Sequence, residues 1–261
     1  MPSTAPPVAT PTAILSALPQ EQQGLIELLR CPCKLSHAGR EFWQGDLQGQ
    51  PVVLALSRIG KVAAATTATA LIERFGVRRM VFTGVAGGMG MEVKVGDVVV
   101  ATDFMQHDLD VSPLFPRYEV PFYGKTRFAS DAGLTALLFE AACRALESED
   151  EKGQASLATR QFPGARVHRG QIASGDRFVS GTGESRALLA ALAGAGHEVL
   201  AVEMEGAAVA QVCLDYGVPF AAVRTISDRA DDSAHVDFQR FVNEVASRYA
   251  HAIVLRLLSS L

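Results

Sequence analysis

The sequence predicts a single α/β domain whose sheet is covered on both faces, and three observations predict it. Short apolar runs rich in β-branched residues recur along the chain without polar alternation, as strands buried on both sides do. Segments with helical spacing lie between them. The 261 residues are 48% hydrophobic and 20% charged, an ordinary globular composition. A chain of that length buries roughly three-quarters of its extended surface in one core.

Taken in order, residues 1–12 are Pro/Ala/Thr-rich, with neither a basic stretch nor an apolar one, and read as a disordered tail before a domain spanning 13–261. A strand is expected at 13–18. A helix follows, with Pro19 near its start, Glu21 in its first turn and Leu25, Leu28 and Leu29 as its buried face. Further strands are expected at 51–56, 80–83, 97–102, 171–174, 199–202 and 220–226. The Ala/Thr-rich segment 61–75 reads as a tightly packed helix. A second helix is read at 206–216, stopped by Gly217 ahead of Pro219. From Phe238 onward, Phe241, Val242, Val245, Tyr249, Ile253 and Leu257 keep helical spacing and predict an amphipathic helix on the sheet. The charged segment 147–160 reads as a solvated loop.

Composition also excludes function classes. Lys plus Arg is 24 against 28 Asp plus Glu, a formal charge of −4, with no basic cluster to bind nucleic acid or an anionic membrane. No apolar run approaches the ~20 residues of a membrane span. Cys31-Pro32-Cys33 has the spacing of neither a zinc knuckle nor a redox pair, so these cysteines, Cys143 and Cys213 read as thiols of a reducing cytoplasm. His107-Asp108-x-Asp110 resembles a ligand set, but sequence neighbours rarely face one ion, and neither metal nor cofactor is expected.

Four clusters can carry chemistry, although each alone also has a structural explanation. Gly84-Val85-Ala86-Gly87-Gly88-Met89-Gly90 follows a strand, where ligands of open α/β sheets bind, or is simply a tight turn. It matches neither the dinucleotide nor the phosphate-loop fingerprint. Glu203-Met204-Glu205 stands where a strand meets a helix. It offers carboxylate acceptors for ligand hydroxyls beside a soft thioether, or acids suited to a helix N-terminus. Arg224-Thr225-Ile226-Ser227-Asp228 ends an apolar strand in a polar cluster, where Asp228 is either functional or a cap. Glu21 is either functional or an acid at a helix start.

Together with Ser57-Arg58-Ile59-Gly60-Lys61, Val95-Gly96-Asp97, His107-Asp108-x-Asp110 and Ser174-Gly175-Asp176-x-Phe178, the glycine, Glu203 and Arg224 clusters occur in an order that resembles the 5′-methylthioadenosine/S-adenosylhomocysteine nucleosidases of the nucleoside phosphorylase superfamily. The match runs from about Ala13 to the C-terminal helix and is interrupted mainly over 113–169. It implies a three-layer α/β/α domain with a mixed central sheet, usually a homodimer, that releases adenine from a 5′-thioribose nucleoside. By that resemblance Asp228 holds adenine N6 and protonates N7, oriented by Ser227. Phe178 stacks on the base and the Val179 backbone meets its edge. Glu205 accepts from the ribose hydroxyls, bonded to Arg224, with Met204 against the sugar and Glu203, Val85, Ala86 and Gly87 beside it. Glu21 activates water, and Ile59 and Phe238 line the 5′-alkylthio pocket.

Those roles require Asp228 to keep a proton far above the free value of ~3.9, and Glu21 to remain ionised, as a helix N-terminus favours. Thr83 stands where bacterial-type phosphorylases carry Arg, and Glu21 near where they bind phosphate, so water is the expected nucleophile. The chain departs from the pattern at Val85, usually Ser, and at Leu18, commonly Met. The altered stretch 113–127 falls where a dimer partner usually helps close the pocket. Another purine nucleoside as substrate, phosphorolysis, and a silent nucleoside-binding protein stand as alternatives.

Overall fold

A computed structural model describes residues 10–90, 92–147, 161–231 and 234–261. The first half of the domain comprises β1 (Thr12–Ser16), α1 (Pro19–Glu27), β2 (Arg30–His37), β3 (Arg40–Leu47), β4 (Gln50–Leu56), α2 (Lys61–Phe75), β5 (Arg79–Gly88) and β6 (Val98–Gln106). The second half adds β7 (Phe128–Ala129), α3 (Ala132–Glu147), β8 (Val167–Ser174), α4 (Thr182–Gly194), β9 (Val199–Glu203) and α5 (Gly206–Tyr216). β10 (Phe220–Asp228), α6 (Ala234–Phe241), a π turn (Val242–Ala246) and α7 (Ser247–Leu258) complete it.

The sheet is mixed, in the order β10-β6-β8-β9-β5-β1-β4-β3-β2, with β7 on β6 and β10 also paired to β5. β5 is parallel to β1 and β10 but antiparallel to β9. Successive residues of single strands fall in different cores. Ala13, Leu15, Val53 and Ala55 pack with Ala68 and Leu71 of α2 and with Val209 of α5. Ile14, Val52 and Leu54 pack with Leu25 of α1, Leu138 of α3 and Ile253 of α7. Both pleat faces are therefore dry, which is why these strands read as continuous apolar runs.

Helices α2 and α5 take their expected bounds, each closed by a left-handed glycine, Gly76 (φ 64°) and Gly217 (φ 62°). Several expectations need correction. The glycine segment is not a turn after a strand. β5 continues to Gly88 because the glycine backbones pair with Arg224 through Ile226 on one side and with Val202 and Ala201 on the other. β1 ends at Ser16, and Leu28 is exposed while Leu25 and Leu29 are buried. The C-terminal helix is broken by the π turn; Phe241, Val245 and Tyr249 pack in the core, whereas Phe238 is half-buried and lines the cavity described below.

The β2–β3 hairpin escaped the sequence reading because all of β2 is exposed and carries no apolar signature. Its Ala38-Gly39 turn has positive φ at both positions (49° and 70°), the twist a two-residue hairpin requires. Glu147 closes α3. The rest of the expected 147–160 loop, and residues 1–9 of the expected tail, lie outside the described residues.

Candidate active site

The carboxyl ends of β1, β5, β9 and β10 converge on a cavity of about 320 Å³, at the small end of the ~300–1,000 Å³ range of ligand pockets. Every residue expected at a site lines this cavity except Ser227. Strands paired in register bring the clusters together: Gly84 lies opposite Arg224, and Gly87 opposite both Asp228 and Val202. The site is thus a consequence of pairing β5 between β10 and β9.

Glu21, 2% exposed, folds back over its own helix start. Its Oε2 accepts the backbone N–H groups of Ala17 (2.8 Å) and Leu18 (2.9 Å), and its Oε1 accepts that of Val85 (3.1 Å). The main-chain contact at position 85 therefore survives without a serine hydroxyl. Burial pushes the Glu21 carboxyl above its usual range, against the pull of those three N–H groups and Arg224. Desolvation outweighs the pull of the helix start on its carboxyl group.

Arg224 is bonded to Glu203, not to Glu205 as the resemblance implied. Its Nη2 donates to Glu203 Oε2 at 2.7 Å, its Nη1 donates to the carbonyls of Phe82 and Val223, and its guanidinium lies 4.0 Å from the Phe82 ring centroid. Glu203 also accepts from Ser174 Oγ and from the Gly206 and Glu205 N–H groups at the start of α5. Its acceptor sites are occupied within the protein. Glu205 instead accepts the Gly60 N–H at 2.8 Å, and burial together with the neighbouring Glu203 pushes it up to about 8.

Removing one partner of a buried ion pair strands the other. Arg224→Met is expected to cost about 3–5 kcal/mol, lowering the thermal midpoint by roughly 10 °C. The double variant with Glu203→Gln is expected to melt above the single variant. A single-variant midpoint equal to wild type in calorimetry would show the pair to be dispensable.

Asp228 is 1% exposed at the end of β10. Its Oδ2 accepts the Ser227 hydroxyl at 2.8 Å and its Oδ1 accepts the Ala230 N–H at 2.9 Å. Ser227 thus stands behind the carboxyl group and faces a different cavity. The cavity's remaining walls are mainly apolar: Phe178 meets Phe238 edge-on at 5.5 Å, and Met204, Ile59 and Val179 adjoin them. Sequence reasoning did not assign Ala17, Leu18, Gly84, Arg177 or Val202 to the site. Gly84 and Val202 adjoin residues it did assign. Arg177 precedes Phe178 but pairs with Glu184 and is mostly exposed.

His107 and Asp108 point elsewhere. The buried imidazole packs on Gly175, and Asp108 pairs with Lys61.

A family model described as the phosphorylase superfamily matches residues 11–259. A 5′-methylthioadenosine/S-adenosylhomocysteine nucleosidase of Actinobacillus succinogenes is 37% identical over 249 residues, 95% of this chain and 98% of the relative. The crystal structure of the same enzyme from Neisseria meningitidis, in complex with methylthio-immucillin-A, superposes with a TM-score of 0.81 at 37% identity, covering 97% of this chain and all of the other. The native futalosine hydrolase of Helicobacter pylori gives 0.82 at 30% identity, over 97% of this chain and 99% of its own.

Proposed function

The chain belongs to the 5′-methylthioadenosine/S-adenosylhomocysteine nucleosidases of the phosphorylase superfamily, and on that premise we propose that it hydrolyses the N-glycosidic bond of these nucleosides, releasing adenine and the thioribose. One observation carries the reading. Two buried carboxyl groups, Glu21 and Asp228, face one cavity from positions beside Gly84 and Gly87 of β5. An acid at the base and an acceptor for water at the sugar are what cleavage through an oxocarbenium-like state requires.

In this reading Asp228, held by Ser227 and Ala230, donates a proton to adenine N7 as the C1′–N9 electron pair leaves with the base. Glu21 takes a proton from water as the water oxygen adds to C1′. Burial that raises Glu21 makes its ionised form a stronger proton acceptor. Glu205 accepts from the ribose hydroxyls, Met204 packs on the sugar, and Phe178 stacks on the base at the Val179 backbone. Val85, Ala86 and Gly87 form the floor. Ile59 and Phe238 enclose the 5′ substituent. Arg224 acts through Glu203, neutralising it at the start of α5. A phosphate nucleophile would meet the Glu21 carboxylate, whereas water finds an acceptor there.

The likeness to futalosine hydrolase makes a futalosine-type nucleoside the second reading of the same chemistry. The test is adenine release from 5′-methylthioadenosine, S-adenosylhomocysteine and adenosine, each with and without phosphate. Phosphate-independent release with free thioribose supports hydrolysis. Release that requires phosphate overturns it, and silence on all three favours another nucleoside or a binding protein.

The reading includes a homodimer that closes the 5′ end in the cytoplasm. Val62 (79% exposed) and Ile59 stand at the start of α2, and Leu114 and Phe122 (95% exposed) on the loop after β6, large apolar groups that a partner would cover. Sedimentation is expected to give twice the chain mass, and Phe122→Asp to shift it toward the monomer. Four unpaired thiols suit a reducing compartment.

A further inference from the structure

The start of α2 is held by a side chain from a distant part of the chain. Gly60 supplies no cap, and the Lys61 N–H donates instead to Asp176 Oδ1 at 2.8 Å, from the segment between β8 and α4. The Lys61 ammonium lies 2.5 Å from Asp108 Oδ1, 3.1 Å from Gln106 Oε1 and 3.8 Å from Asp176 Oδ2. Asp108 Oδ2 accepts the Asp176 N–H at 2.8 Å, and the Gln106 amide donates to Gln211 on α5. The lysine side chain is 16% exposed and that of Asp108 29%, so their pairing is screened less than a surface one, whereas Asp176 is half-exposed and is held chiefly by the two backbone hydrogen bonds.

The backbone leading into this junction is tightly wound, with φ of 63° at Arg58 and 95° at Gly60. That winding aims the Gly60 N–H at Glu205 Oε1. A Cβ on residue 60 would sit 3.2 Å from Asp176 Oδ1, so glycine lets the two segments close on each other. Two residues beyond Asp176, Phe178 enters the cavity.

We propose that Asp176, clamped by Lys61 and Asp108, is a positioning residue: it latches the 57–61 loop to the 175–179 segment, fixes the Gly60 N–H on Glu205 and thereby couples the sugar-binding wall to the base-stacking wall. The inference rests on the reading of Glu205 as the ribose acceptor. Facing Glu205 are Glu203 from β9, Glu21 from α1 and Arg224 from β10. The two carboxyl groups raise it, and the Gly60 N–H and Arg224 oppose them. Losing the N–H therefore drives Glu205 further up. Because the ionised form is the better acceptor of two hydroxyls, the acid limb of kcat/KM moves to higher pH.

The test compares Asp176→Ala with Asp176→Asn in the full chain. The Glu205 carboxyl is titrated by NMR on carboxyl-labelled glutamate and assigned with Glu205→Gln, while kcat and KM for methylthioadenosine are followed against pH. In Asp176→Ala, Glu205 and the acid limb are expected to shift upward by about one pH unit, with activity at neutral pH down about tenfold. Asp176→Asn retains the oxygen that accepts the Lys61 N–H and is expected to restore most of the shift. An unmoved Glu205 titration in folded Asp176→Ala overturns the latch. If that variant does not fold, Asp108→Asn is expected to shift Glu205 less but in the same direction, and no shift overturns the proposal. The titration needs no substrate, so an inactive wild type would sink the functional reading and still leave the latch decided.

Discussion

Asp228→Asn is expected to slow adenine release from methylthioadenosine by about 10²–10⁴-fold, the contribution of a positioned general acid. Asparagine keeps the shape, and its oxygen can still accept from Ala230 or Ser227, but it has no acidic proton for N7. Calorimetry is expected to show substrate binding within a few-fold of wild type, because the Phe178, Met204 and Glu205 walls are untouched. The diagnostic is a thioriboside with a leaving group that departs without protonation, such as p-nitrophenolate. Its hydrolysis is expected to survive the substitution. Equal losses on both substrates would mean that Asp228 holds the pocket together rather than protonating the base.

Glu21→Gln is expected to cost a similar factor for a different reason. Glu21 accepts three backbone N–H groups with its two oxygens. A glutamine amide must turn its NH₂ toward at least one of them, leaving buried donors face to face and a penalty of about 1–3 kcal/mol. On the proposed mechanism the variant therefore loses the proton acceptor for water, and it also loosens the Ala17–Leu18 turn. Turnover of methylthioadenosine is expected to fall about 10²–10⁴-fold while binding persists. Rapid-quench measurement of adenine formation separates the two effects. Unchanged turnover removes Glu21 from the mechanism and returns it to the role of a helix-start acid.

Both predictions concern residues that the sequence marks only weakly one at a time. Glu21 reads as an acid in a first helical turn, and Asp228 as a cap. Their meaning comes from the order of seven short segments, which is legible because each segment sits at a strand end with a restricted chemistry: glycines that let strands approach, acids at helix starts, a buried strand ending in Arg and Asp. The cavity gathers them because β5 carries Gly84 beside Arg224 and Gly87 beside Asp228.

The partner of Arg224 was not legible. Glu203 and Glu205 differ by two positions, and a guanidinium can reach either from sequence spacing alone. The structure decides it, since Glu203 lies inside the strand and its carboxylate also caps α5, whereas Glu205 begins the helix and turns toward Gly60. The same limit applied to Glu21. A helix start suggests an ionised carboxylate, yet complete burial raises it, and burial depends on elements distant in sequence. The β2–β3 hairpin was missed because a wholly exposed edge strand carries no apolar pattern.

Local chemistry and periodicity along the chain encode strands apolar on both faces, helices α2 and α5 with the Gly217 stop of the latter, and the residue types available for catalysis. Strand pairing and packing set which acid meets Arg224, which carboxyls are desolvated and how Asp176 reaches the start of α2. Periodicity is a property of neighbours along the chain. Electrostatics and hydrogen bonding depend on neighbours in space, which strand pairing draws from positions more than a hundred residues apart.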